Sequence, residues 1–320
     1  KAAYYAGIIM GRNPDVSYGT YRLLSFDELW KKSGFDESEH MFSVRTRSAD
    51  EEYGNGVHQW YCGMQDAGGV LQKGPWVGNR FHWYCLFDNE DYRITKGVKH
   101  RFQYDSQVKN GRGYYYPGTP EYKLMATGKN MDDVKVQEPV APFNDGLTYT
   151  NSISSNCLAF TTKYADVTDP TIGRTDAYWP FLRYADIVLI YAEAQCELND
   201  GISQDAIDAL NDIRIRSNAK EASVTGDGAI ETKVELRSVI FEERAKELAY
   251  EGDRRWDLLR WGIYLDVMNS LGGINEDGTR TPYDEGSINK RREFRHLLYP
   301  LPSLEVSTNM AIDKNNPGWN

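Results

Sequence analysis

The stretch that most constrains how this chain can fold runs from Val234 to Ile263, VELRSVIFEERAKELAYEGDRRWDLLRWGI. Phe241, Ala245 and Leu248 recur at i, i+4 and i+7, the period of a helix with one buried stripe. Gly252 is placed to end that helix, because glycine enters the left-handed C′ conformation without steric cost, and Asp253 to cap the next. The second helix carries Trp256, Leu259 and Ile263 on one face. The stretch therefore predicts a helix-turn-helix pair.

Its charges ask for partners. Arg254 and Arg255 fall just inside a helix N-terminus, where the macrodipole disfavours cations. Glu242, Glu243, Glu247 and Glu251 on the preceding helix are the available carboxylates, and an arginine fork can meet a carboxylate in two parallel hydrogen bonds. We read Glu243, Glu247, Arg254, Arg255 and Trp256 as structural residues of an ion-pair network that locks the two helices together. A catalytic carboxylate site is the other reading of the same charges.

Three further stretches fall in order around this pair. RYADIVLIYAEAQCELNDG at 183 to 201 and AIDALNDIRIRSNA at 206 to 219 precede it, and LLYPLPSLEVSTNMAIDKNNPGW at 297 to 319 follows it. Together with EERAKELAYEGDRRWDLLRWG they resemble, in order and spacing, the helix pairs and the YPIP…NPGY ending of the SusD/RagB family of nutrient-binding outer-membrane lipoproteins. LFDNEDYRI at 86 to 94 resembles the family's aspartate-rich segment ending in D-x-R; by itself the Asp91/Arg93 pair reads as a turn-stabilising ion pair.

The resemblance implies a mainly α, tetratricopeptide-like fold of helix pairs with a loop-rich region containing short β-strands. Residues 1–179 are then the loop-rich, aromatic-rich candidate ligand-binding part, 180–270 a helical scaffold of two helix pairs, and 271–320 an extended tail packing on it. All belong to one domain that lacks its N-terminal part, since the family begins with a signal and a helical portion that nothing here matches.

The function implied is non-enzymatic. An exported lipoprotein on the surface of a Gram-negative outer membrane would bind oligosaccharide or polysaccharide and deliver it to a SusC-like TonB-dependent transporter. It would meet the membrane only through a lipid anchor outside this sequence. Two alternatives from other classes are a tetratricopeptide-type peptide-binding scaffold and a glycoside hydrolase, which needs two carboxylates flanking the scissile bond.

Ligand contact is expected on residues 53–84, dense in glycine, tryptophan and tyrosine. Sugar rings present apolar C–H faces, so a carbohydrate site wants flat aromatic surfaces edged by amides and charged groups. Trp60, Tyr61 and Trp76 with Asn79 and Arg80 supply that chemistry on loops, joined by Tyr115 from the Tyr114–Tyr116 run. Each tryptophan also has a packing reading, because aromatics bury more often than they bind. Trp83 alternates with Phe81, Cys85 and Phe87 and reads as a core-facing strand residue.

Composition narrows the partners. Lys+Arg total 37 against 47 Asp+Glu, a net charge of -10 with no basic run, which argues against nucleic acid. No stretch of about 18 apolar residues suggests a membrane-spanning helix. Cys62, Cys85, Cys157 and Cys196 lack CxxC spacing and the five histidines are scattered, so neither a metal site nor a cofactor is expected. Cys196 lies in an apolar helix and reads as a buried free thiol.

Local signals complete the reading. Residues 1–40 mix short apolar runs with polar turns, and Ser25 with Glu28 forms a capping box predicting a helix from Phe26 to Lys32. Strands are expected at 41–48 and 157–164, with long surface loops over 105–150. Ile187, Ile190, Tyr191, Ala194 and Leu198 stripe one helix; Ser203 caps the next, whose inner face is Ala206, Leu210 and Ile213. LYPLPS is expected to run extended, its prolines excluding a helix.

Overall fold

The chain opens with a helix that its apolar pattern did not announce. In the computed structural model, α1 (Ala2–Ile9) buries Ala6, Gly7 and Ile8. Small residues hid it: a Cβ on Gly7 would stand 3.2 Å from the Tyr191 ring, so close approach replaces a stripe of large side chains. The structure describes residues 1–13, 16, 20–35, 38–49, 56–65, 71–73, 83, 86–88, 90–99, 101–105, 108–113, 148–149, 160–166, 169, 171–172, 174–270 and 292–319.

Helix α2 (Phe26–Leu29) starts after Ser25, and a 3-10 turn at Lys32–Gly34 follows, so the predicted helix is split. Ser25 Oγ donates to Glu28 Oε2 at 2.6 Å, spending the hydroxyl on the carboxylate instead of on a backbone N–H. Next come β1 (His40–Val44), α3 (Val57–Cys62), β2 (Met64–Gln65), β3 (Leu71–Lys73), α4 (Tyr92–Thr95), β4 (Val98–Lys99), β5 (Arg101–Asp105), β6 (Val108–Gly113), β7 (Thr148–Tyr149), β8 (Phe160–Thr161) and β9 (Trp179–Arg183). Sheets are small: β1 pairs antiparallel with β9, β2 with β3 and β4 with β8, while β6 pairs antiparallel with β5 and parallel with β7. Strands β6 and β7 correct the expectation of unbroken loop over 105–150, where glycine and asparagine masked the backbone pairing.

The helical part keeps the predicted order, but the predicted Ile187 to Leu198 stripe is buried only in part: Ile187 and Tyr191 are covered, while Leu198, at the helix end, is 72% exposed. Helices α5 (Tyr184–Leu198), α6 (Gln204–Arg216) and α7 (Lys233–Glu247) enclose a core in which Leu189, Leu210, Ile213, Leu236 and Ile240 are all fully buried. Each such side chain contributes about 1.5–3 kcal/mol by leaving water. Ser203 caps α6 as expected, its Oγ accepting from Ala206 N. Cys196 is a buried free thiol, as is Cys62. Thr232 and Glu235 form a reciprocal capping box on α7, a T-x-x-E pattern that was legible and not used. Thr232→Ala should cost about 1 kcal/mol in the urea unfolding midpoint.

Helix α7 stops at Glu247, and Tyr250 (φ 69°) and Gly252 (φ 102°) both enter the left-handed region. Described residues up to Glu251 form one compact unit and those from Gly252 another. The second unit holds α8 (Arg254–Arg260), α9 (Tyr264–Ser270), a 3-10 turn at Phe294–Leu297 and α10 (Ser303–Thr308). Asp253 makes no side-chain cap, and Trp256, expected on the inner face of α8, is 58% exposed; Asp257 and Leu258 are buried instead. The tail is pinned by polar contacts: Leu301 N donates to Asn315 Oδ1 (2.7 Å), Asn316 Nδ2 to Tyr299 O (2.7 Å) and Trp319 Nε1 to Arg295 O (2.8 Å).

Candidate functional site

Helix α3 sets one aromatic face outward and three side chains inward. Gly56 is its N-cap and Gly63, at φ 73°, reverses the chain after it. Between them Val57, His58 and Cys62 are buried: His58 Nδ1 donates to Tyr164 O (3.0 Å) and the Cys62 thiol to Thr161 O (3.1 Å). Burial pushes the Cys62 thiol up to about 12, which makes it inert as a nucleophile. With that face anchored, helical period turns Trp60 to solvent at 49% exposure.

Tyr61, the next residue of the same helix, joins a wall of packed rings. Tyr61 stands 5.5 Å from Tyr164, 5.6 Å from Tyr250 and 5.9 Å from Trp179, and Trp179 stacks on Tyr164 at 5.5 Å and 10°. Tyr61 is thus half-buried in the wall, and burial raises its phenol above the ordinary value. Trp83 closes the far side against Tyr250 (5.8 Å), with its Nε1 donating to Ala245 O (2.8 Å). It packs inward as expected, but from a helical turn rather than a strand. The left-handed turn at Tyr250 is held by Tyr164, whose hydroxyl donates to the Tyr250 carbonyl (2.8 Å).

Beneath the wall lies a buried ionic hub. Arg183 is 1% exposed and donates to Glu39 Oε1 (2.8 Å), Glu251 Oε2 (2.6 Å) and the Glu247 carbonyl (2.8 Å), while pairing with Glu247 Oε1 at 2.7 Å. Arg93 meets Asp91 (2.7 Å) and Glu243 (2.5 Å); Arg214 takes the other Glu243 oxygen (2.8 Å) and Arg216 meets Glu247. Lys163 reaches Glu251 (2.6 Å) and the carbonyls of Glu247 and Ala249. Among the described residues, five cations (Arg93, Lys163, Arg183, Arg214, Arg216) therefore face five carboxylates (Glu39, Asp91, Glu243, Glu247, Glu251), and their formal charges balance. Burial works to raise Glu247, but Arg216, Arg183 and Arg93 overcome it and hold its carboxyl well below the usual range.

Sequence reasoning named Glu243, Glu247 and Glu251 but assigned them none of the five cations that meet them here, and Glu242 pairs instead with Lys246. Arg255, expected to meet them, lies between the Tyr264 and Tyr299 rings (4.7 and 4.6 Å) and donates to Tyr264 Oη (2.5 Å) and His296 O (2.9 Å). Arg254 lies over the Trp261 ring at 5.5 Å. Asp91 and Arg93 form the expected local turn pair, with Asp91 capping α4, and Arg93 in addition ties α4 to α7 through Glu243. Trp76, Asn79, Arg80 and Tyr115 lie outside the described residues. Among the described residues no group of three metal-type ligands gathers, and no helix is long and apolar enough to cross a membrane.

Known proteins resemble this chain in sequence and in fold. SusD-like protein P2 of Formosa agariphila is 33% identical over 142 residues, 43% of this chain and 25% of the relative. A SusD homolog from Bacteroides thetaiotaomicron superposes over 99% of this chain and 58% of its own with a TM-score of 0.66 at 22% identity. Surface glycan-binding protein A from the same organism, solved in complex with laminarihexaose, gives a TM-score of 0.56 at 18% identity over 98% of this chain and 58% of its own. The chain thus spans little more than half of these structures, and at such identities the likeness is one of fold: tetratricopeptide-like helices with few short strands. The model of the SusD family matches residues 65–319, a span that includes the D-x-R turn, the hub helices and the NPGW ending, and the chain belongs to that family.

Proposed function

We propose that this chain binds oligosaccharide or polysaccharide at the bacterial surface without cleaving it. The observation that carries the reading is Trp60, a large aromatic left half in water on a short helix whose next residue, Tyr61, is anchored in a packed aromatic wall. A rigid flat ring on a well-held helix is suited to the apolar face of a pyranose. Family membership and the laminarihexaose complex of the surface glycan-binding relative support the ligand class. Trp76, Asn79, Arg80 and Tyr115 belong to the same proposed site, with Tyr61 as its backing. Delivery to a SusC-like TonB-dependent transporter, from a lipoprotein held on the Gram-negative outer membrane, completes the proposal.

Isothermal titration of the full-length protein against a polysaccharide panel that includes laminarin tests it. Trp60→Ala should weaken the bound glycan about 30-fold, the range of an aromatic hot spot, with the thermal midpoint unchanged. Binding to no glycan in the panel, or release of cleavage products, would overturn the reading.

A further inference from the structure

Gly56 does not need to be glycine for its backbone. Its φ of −88° and ψ of 8° are open to any L residue. What it lacks is a side chain, and a Cβ there would press on the Trp60 ring more closely than carbon contacts ordinarily allow. That Cβ would stand 3.2 Å from Trp60 Cε2, 3.3 Å from Nε1 and 3.4 Å from Cζ2. The order of these distances fixes the geometry. Cε2 is the junction atom recessed between the other two, so an approach in the ring plane would leave it farthest; being nearest, it is met from above the ring. The residue-56 backbone therefore lies against one face of the indole, and the backbone bond from Trp60 N to Gly56 O (3.0 Å) closes the same turn.

We propose that Gly56 is a positioning residue, seating one face of the Trp60 indole on bare backbone so that the other is presented flat to a sugar ring. The assignment rests on the glycan-binding reading above. Ordinary carbon contacts lie near 3.5–4.0 Å, so a methyl group at 56 makes the ring lift or rotate. Trp60 is half exposed and can move without unfolding anything.

The test compares Gly56→Ala, Gly56→Ser and Trp60→Ala in the full-length protein. Both residues fit the backbone at 56, so Gly56→Ala and Gly56→Ser should hold the wild-type thermal midpoint while losing affinity for the same polysaccharide about two- to tenfold. A second readout is independent of ligand: in protein labelled with ¹³C-glycine, the Gly56 Hα resonance should be shifted upfield by the indole and return in Trp60→Ala. Wild-type affinity in both glycine variants while Trp60→Ala binds weakly would overturn the Gly56 assignment alone, as would an unshifted Gly56 Hα. Failure of the wild-type protein to bind any glycan would instead overturn the functional reading, and this role with it.

Discussion

Arg183→Met lowers the stability of the protein by about 3–5 kcal/mol, because truncating one side of a buried ion pair strands the other. Methionine matches much of the length and packs well, so lost volume contributes little. The cost comes from Glu39, Glu247 and Glu251, each buried and each losing a donor from the same guanidinium. The balanced hub becomes one charge negative in a place water reaches poorly. Urea unfolding of the full-length protein reads the loss directly. Adding Glu39→Leu to Arg183→Met should recover part of it, since the pair is then removed together, with a coupling of about 0.5–3 kcal/mol. A single-variant cost below about 1 kcal/mol would show that water repairs the hub and that its geometry is not what fixes the fold.

The same hub explains what the family-like stretches are made for. Arg183 is the arginine of RYAD, and its Asp186 pairs with Arg244 of EERAKELAYEG at 2.8 Å. Glu243 and Glu247 of that stretch receive Arg93 from the D-x-R turn and Arg214 and Arg216 from the IRIR of α6, and Glu251 receives Arg183 itself. The D-x-R turn, RYAD, IRIR and EERAKELAYEG segments are thus the parts of a single buried junction. Helix positions were legible because α5, α6 and α7 bury stripes of large aliphatics at the helical period. The pairing was not, because a carboxylate on one element can be met by any cation that tertiary structure brings near, and spacing records only neighbours along the chain.

The candidate site was legible in a narrower way. Trp60 was one of several aromatics in a glycine-rich stretch, and composition alone assigns its neighbour Tyr61 the same role. The difference lies in helix α3: His58 and Cys62 anchor one face, Tyr61 turns into the wall and Trp60 turns out. A six-residue helix between two glycines leaves almost no periodic signal. Helix α1 was missed for the opposite reason, its buried face being built from Ala6 and Gly7. The Trp83 alternation was a chance match to period two.

Acid should unfold the protein in two stages whose order follows from the buried groups. Burial lowers the His40 imidazole below its usual 6.5, an effect that the Leu29 carbonyl opposes and Arg183 reinforces. The unfolded chain then binds the proton first, so stability begins to fall as the pH drops through about 6.5. The glutamates act lower. Burial tends to raise Glu243, Glu247 and Glu251, but their arginine and lysine partners prevail and hold all three below 4.5. Their stabilisation is complete above 4.5 and is lost as the pH falls through the depressed folded values. Each proton bound only by the unfolded chain adds about 1.4 kcal/mol per pH unit, so three glutamates give a slope approaching about 4 kcal/mol per unit. Urea midpoints between pH 8 and the acid transition measure both stages. His40→Phe should remove the upper one, and Glu247→Gln should reduce the lower slope by about one proton's share. A stability that stays level from pH 7 down through 4 would mean that the hub carboxylates titrate alike in the folded and unfolded chain, and the picture of a charge-balanced buried junction would fall with it.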